Sequence, residues 1–220
     1  MATIQLIHNP ILNSKAQVLI LPVNNAGTLL DPVLTRCKTL YPDNYQRYHR
    51  ACRDGSLMVG SCLLHKRQRE QVGLGASHNS NQPSYIANLV ISDHPYHPTR
   101  SRWLNAALLD LQQQLLPLIR YQGVRKVALL ARPLLFDNPT ASNSRDLDGA
   151  ADVEDTIHAE NTLEDDLENS VEEMTTDSIS MAANPIPLDW QSTVLPLITA
   201  RLQDLPKLRI EIHLPKSVTI

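Results

Sequence analysis

The sequence has few aromatic residues, few cysteines and no long apolar run. Phe, Trp and Tyr together make up 4% of its 220 residues, so its core has to be built mainly from Leu, Ile and Val. Its three cysteines, Cys37, Cys52 and Cys62, are odd in number and lack a C-x-x-C spacing. That excludes a disulfide framework and argues against a catalytic or metal-binding role. They read as reduced, buried thiols in a cytosol-like compartment. No apolar stretch approaches the roughly 20 residues that span a bilayer. Met1-Ala2-Thr3 leads directly into a strand-like pattern, without the basic start and apolar region of a signal peptide. The expected localisation is therefore cytoplasmic, with no membrane partner.

What is present supports one well-buried α/β domain carrying an insertion. Apolar residues make up 42% of the chain. The net charge of −3 hides an asymmetry. Between Asp137 and Ala183 there are 14 Asp and Glu but one basic residue, Arg145; the rest of the chain carries +10. A basic body thus holds an acidic segment. Residues 137–184 are rich in Asp, Glu, Ser, Thr and Asn and have no sustained apolar stripe, so a disordered insertion is expected there.

Strand and helix patterns alternate along the body. Thr3 to Ile7 and Gln17 to Val23 read as strands. Asp31 can cap a helix whose first turn holds Pro32. Pro42 stops that helix, and Asp43 is expected to cap a second, basic one ending near Arg53. Leu57 to Leu64 reads as a strand with Gly60 inside it, followed by a loop from His65 to Pro83. Tyr85 to Ile91 is a further buried strand. Thr99 is expected to cap a long helix with a broad apolar stripe, which Pro117 should kink or weaken near its end. Arg125 to Ala131 and Leu208 to Leu214 read as strands, separated by the acidic segment and a helix from Leu188 interrupted by Pro196. Strands separated by helices predict a mainly parallel sheet with helices on both faces.

The run Val18 to Val23 is wholly apolar and ends in Asn24, Asn25 and Gly27. Such a run fits a strand buried on both faces, and open α/β sheets bind ligands at the carboxyl ends of such strands. Asn24, Asn25, Gly27 and Asp31 are therefore the candidate ligand-binding residues, although the first three also suit an ordinary turn. Ser92, Asp93 and His94, at the end of another strand, are the candidates for a nucleophile or base; capping residues of a loop are the plainer alternative. His94 and His97 could offer two imidazoles to a metal, but no further ligand has the right spacing, so no metal is expected. Arg47, Arg50, Arg53, Lys66, Arg67 and Arg69 could form a basic patch for nucleic acid, with little aromatic interleaving for base stacking.

Three stretches resemble the macro domain family, in particular the branch of DNA ADP-ribosyl glycohydrolase antitoxins. Leu21-Pro22-Val23-Asn24-Asn25-Ala26-Gly27 is similar to the family's strand ending in V-N-x-x-G. Tyr41-Pro42-Asp43-Asn44-Tyr45-Gln46-Arg47-Tyr48, with Ala51-Cys52, Gly55 and Gly60, is similar to its F-P-x-N-x-x-x-Y…A-C…G…G pattern. Ile86-Ala87-Asn88-Leu89 with His94, then Arg102 and Leu188-Asp189-Trp190, resembles its fourth strand and the start of its last helix. The resemblance implies a three-layer α/β/α sandwich with a mostly parallel mixed sheet over residues 1–220. It also implies ADP-ribose or an ADP-ribosylated macromolecule as ligand, an ADP-ribosyltransferase as partner, and no cofactor.

The departures fall where that family does its chemistry. The position of its adenine-binding Asp holds Pro10, beside Asn9. The Gly-Lys-Gly that opens its first helix corresponds to Leu30-Asp31-Pro32, where a carboxylate repels phosphate and proline removes a donor. The catalytic Lys position is Ser92, and Arg132-Pro133-Leu134-Leu135 stands where a Gly-rich phosphate loop belongs. The sequence thus points to a non-catalytic binding or interaction module with weakened or lost ADP-ribose recognition. The alternatives are an ADP-ribosyl glycohydrolase using a relocated residue such as Asp93 or His94, and a nucleic-acid-associated partner.

Overall fold

A computed structural model describes residues 1–67, 82–135 and 188–216. The acidic stretch 137–184 and Arg69 lie outside the described residues. Six strands form one sheet: β1 (Thr3–Ile7), β2 (Val18–Asn24), β3 (Cys62–Lys66), β4 (Tyr85–Ser92), β5 (Lys126–Leu130) and β6 (Arg209–His213). Their order is β1-β6-β5-β2-β4-β3. All neighbours are parallel except β3, which runs antiparallel to β4 at the edge. The mostly parallel sheet expected from the alternating pattern is the one observed.

Both faces of the sheet are covered. One carries α3 (Ser101–Tyr121) and α5 (Leu195–Leu202), whose Leu104, Leu108, Leu111, Leu115, Ile198 and Leu202 are 0% exposed. The other carries α1 (Pro32–Leu40) and α2 (Pro42–Arg53) through Leu34, Cys37 and Tyr48. A short α4 (Arg132–Leu135) follows β5. β2 lies inside this sandwich with all seven residues buried. Pro22 is tolerated there because β2 pairs with β5 only over Val18–Ile20, so that side of the strand makes no demand for its missing N–H.

Five local expectations need correction. The third strand starts at Cys62 rather than Leu57, because Gly60 takes φ +88 and turns the chain. A Cβ there would stand 3.2 Å from Ala106 Cβ, so glycine serves a close approach to α3 as well as the turn. Asp43 does not cap α2: Tyr41 is the cap residue with Pro42 in the first turn, and Asp43 instead meets His65 Nε2 at 2.9 Å. Thr99 is buried, and Arg100 stands at the cap position of α3 without a side-chain cap. Pro196 does not interrupt the last helix; a wide π turn (Trp190–Val194), capped by Asp189, hands over to α5, where proline falls in the first turn. Pro117 leaves α3 continuous to Tyr121, since burial of Leu115, Leu118 and Ile119 holds that end down.

On the α1/α2 face a buried polar cluster ties β6 to its neighbours. Glu211, 7% exposed, meets Lys126 Nζ at 2.8 Å and accepts from Ser14 Oγ at 2.9 Å. Burial raises the Glu211 carboxyl, but the hydrogen bonds from Lys126 and Ser14 and the nearby charges outweigh it, so the group titrates below its ordinary 4.5. Its pairing therefore stabilises the fold at neutral pH and is lost as pH falls through the depressed native value. Glu211→Gln should lose about 1–2 kcal/mol at neutral pH. It should also lack that part of the acid slope, as read by urea denaturation between about pH 3 and pH 7.

Candidate functional site

The sheet has a switch point at its carboxyl edge. The connection leaving β2 runs to α1 and α2 on one face, and that leaving β5 runs through α4 to α5 on the other. The two strands stop pairing after Ile20 and Leu129, which leaves an unpaired gap, the crevice, between their ends. Open α/β sheets bind ligands at such a point. The residues singled out in the sequence as ligand-binding all lie on the β2 side of it.

Asn24 is turned to holding the loop rather than left free. Its side chain donates from Nδ2 to the Thr28 carbonyl at 2.6 Å, and its Oδ1 accepts from Thr28 N–H at 3.4 Å. Its own carbonyl accepts from the buried Tyr48 hydroxyl at 2.6 Å. Asn25 N–H donates to the Ser92 carbonyl at 3.1 Å, which ties the exit of β2 to that of β4 beside a bulge between Val23 and Asn24. Gly27 has φ +77, and a Cβ on it would come within 3.3 Å of His49 Cδ2 and 3.5 Å of Cys52 Cβ. The loop is pressed onto α2, which only glycine permits in that conformation.

Asp31 closes the start of α1. Its Oδ1 accepts from Val33 N–H at 2.7 Å and Leu34 N–H at 3.3 Å, and its carbonyl accepts from Thr35 N–H at 2.9 Å. Pro32 has no N–H to offer. Every donor of the first turn is thus absent or engaged, so this helix start presents none to an anion. Asp31 Oδ2 reaches across the crevice to Arg132 Nε at 3.0 Å. The Asp31 side chain is 11% exposed and that of Arg132 44%, so the pair sits at the mouth of the crevice. No local sequence signal marks this contact, which joins the loops after β2 and β5.

Of the three candidate catalytic residues, Asp93 and His94 both lie against His97, and Ser92 is set apart by burial. Asp93 faces away to His97 Nδ1 at 2.9 Å. Burial raises the Asp93 carboxyl, but the His97 hydrogen bond and neighbouring backbone N–H groups bring it below its ordinary 3.8, so it is an acceptor at neutral pH. His94 Nδ1 accepts from Tyr96 N–H at 3.3 Å, and its ring lies beside those of Tyr96 and His97. Burial pushes the Cys37 thiol up to about 12, and burial also raises Cys52 and Cys62, so none is a ready thiolate. Among the described residues no group of three or more His, Cys, Asp or Glu is placed to hold a metal. No helix among them is long and apolar enough to cross a membrane.

Beneath the loop, Asn44 and Asn88 exchange amide hydrogen bonds of 2.8 and 3.3 Å. They line a cavity of about 10 Å³ with Tyr45, Tyr48, Leu29 and Lys38, which is room for one water rather than a ligand. The spacing of Tyr45, Tyr48 and Cys52 on one face of α2 was the sequence signal for this support. The basic patch read from the sequence is divided in use: Arg47, Arg50 and Arg53 are exposed, while Arg67 covers the Tyr41 ring at 4.7 Å and donates to the Pro83 carbonyl.

Comparison with known proteins gives the fold a place. No protein-family model matches the chain. Over 126 residues, 57% of the chain, it is 29% identical to the DNA ADP-ribosyl glycohydrolase of Thermus aquaticus, and it covers 31% of that protein. The chain therefore spans about a third of the length of the curated relative it matches. Among solved structures it is similar to the macrodomain of Thermus aquaticus DarG, with a TM-score of 0.60 at 21% identity over 98% of this chain and 100% of that one. The macrodomain of Mycobacterium tuberculosis DarG gives 0.59 at 17% over 98% and 99%. Thermosipho africanus DarTG, solved in complex with ADP-ribose, gives 0.60 at 17% over 99% of this chain and 43% of that one. The chain has the α/β macrodomain fold, with its six-stranded mixed sheet.

Asp31 has two separable duties, and substitution should divide them. Asp31→Ala should cost about 1 kcal/mol through the lost cap. Asp31→Asn keeps an acceptor for Val33 and Leu34 and should cost about 0.5 kcal/mol or less, because the partly exposed Arg132 is screened by water and salt. Urea denaturation at low and high salt reads both, with only the Asn variant's deficit expected to vanish at high salt.

Proposed function

We propose that this chain is a macrodomain-fold binding or interaction module in which ADP-ribose recognition is weakened or lost, and that it does not turn over ADP-ribosylated substrates. One observation carries the reading. The first turn of α1 is capped by the chain's own carboxylate, Asp31, and that carboxylate is pinned by Arg132 across the switch-point crevice. A diphosphate at this helix start would meet a negative charge and find no free N–H. The burial of Ser92 adds to it, since its hydroxyl has no hydrogen bond to a base among the described residues.

A second reading is favoured by the 29% identity to a DNA ADP-ribosyl glycohydrolase. On that reading the chain hydrolyses an ADP-ribose linkage on a macromolecule, with an ADP-ribosyltransferase as its partner. It would need Asp31 to leave the helix start when ligand arrives. On either reading the acidic residues 137–184 are an insertion in one domain.

The two readings separate in one pair of measurements on the full chain. Calorimetric titration with ADP-ribose is expected to give no saturable heat in the micromolar range, and an assay with mono-ADP-ribosylated DNA is expected to release no ADP-ribose. Micromolar binding together with turnover would establish the glycohydrolase reading. Micromolar binding without turnover would retain the module and reject the loss of recognition.

A further inference from the structure

The amino edge of the sheet, opposite the crevice, is the second place where chemistry gathers. The strand register puts Arg209 of β6 beside Lys126 of β5, and Lys66 of β3 beside Tyr85 of β4 at this same edge. Arg125 precedes β5, and Lys207 lies in the turn before β6. Arg125, Lys126, Lys207 and Arg209, with Met1, Thr3 and Leu208, line a groove of about 410 Å³. The lining runs from β1 to β5, two strand spacings or about 10 Å at 4.8 Å each, and Lys66 lies outside it.

Two details mark the groove as more than scattered charge. Lys207 is the only non-glycine residue with positive φ, at 50°, among the described residues. Glycine would relieve that backbone, so a lysine there keeps its side chain at a conformational cost. Arg125 is held in place: its Nη1 donates to the carbonyls of Ile119 and Val124 at 3.0 and 3.1 Å, at the end of α3. Of the four cations, Lys126 is matched by Glu211, while neither Lys207 nor Arg209 has an ion-pair partner among the described residues. Asp204, in the preceding turn, is not part of the lining.

We propose that this groove binds the phosphate backbone of a nucleic acid without regard to sequence. The lining is cationic with two apolar side chains, so it offers charge and no deep apolar pocket in which a peptide side chain could anchor. Four cations lining one open groove suit a repeating polyanion better than one small anion. Tyr121, 79% exposed at the end of α3, stands on the turn leading into β5 and offers a ring for stacking. The inference does not rest on the reading of the crevice, from which the groove is separated by the length of the strands.

The test is fluorescence anisotropy of the full chain with a labelled single strand of about 20 nucleotides of mixed sequence. Binding is expected with a dissociation constant of about 10⁻⁵ M or tighter at low salt, and with log K falling against log salt at a slope of about −2 to −3. Lys207→Glu with Arg209→Glu should weaken it about tenfold or more. Lys207→Gly should weaken it with the thermal midpoint unchanged or raised, which separates binding from folding. Excess ADP-ribose should not displace the strand, and Arg47→Glu with Arg50→Glu should leave affinity unchanged. No binding at low salt, wild-type affinity in the groove variants, or displacement by ADP-ribose would overturn the proposal. Equal affinity for polyglutamate of matched charge would assign the groove to an acidic protein and overturn the nucleic-acid identity.

Discussion

A strand buried on both faces has to leave the sheet through polar groups that are all paired, and the carboxyl edge of this protein is arranged around that demand. β2 ends at Asn24, whose carbonyl is met by Tyr48 and whose side chain is met by Thr28. Asn25 is tied to Ser92, and Asp31 saturates the start of α1. An unpaired buried group at any of these points costs about 1–3 kcal/mol, so the loop is fixed by satisfaction as much as by packing. The same pairing engages the Asn24 side chain, the Asn25 N–H and one Asp31 carboxylate oxygen within the chain. The proposed reading of a weakened site rests on those engaged groups.

Much of this was legible in the sequence where the signal is local. The unbroken apolar run of β2, the stripe of α3 and the Asp31-Pro32 helix start each follow from residues within a few positions of one another. What was hidden depends on residues far apart in the chain. Asp43 in a helical first turn looks like a cap until His65 arrives from β3 to take its carboxylate. Leu57-Met58-Val59 looks like a strand until the left-handed Gly60 turns it against α3. Arg132 sits after a different strand from Asp31, and only the strand order brings them together. The candidate catalytic trio was read from adjacency in sequence, but the turn after β4 sends Asp93 to His97 and leaves Ser92 buried.

The two ends of the sheet carry opposite characters. At the carboxyl edge Asp31 and Arg132 pair with each other across the crevice. At the amino edge, Lys207 and Arg209 face a groove without partners among the described residues. A fold that is similar in outline to macrodomains thus places unspent positive charge on the end away from the switch point. Net charge alone, −3 for the whole chain, conceals this, because the acidic stretch offsets a body of +10.

The central claim is that the first turn of α1 is closed to a diphosphate by Asp31. The most direct measurement is the pair of backbone amide resonances of Val33 and Leu34 during titration with ADP-ribose. They should keep the shifts set by the Asp31 carboxylate throughout the titration. Movement of both amides that saturates at micromolar ligand would mean that phosphate displaces the carboxylate, and would contradict the account.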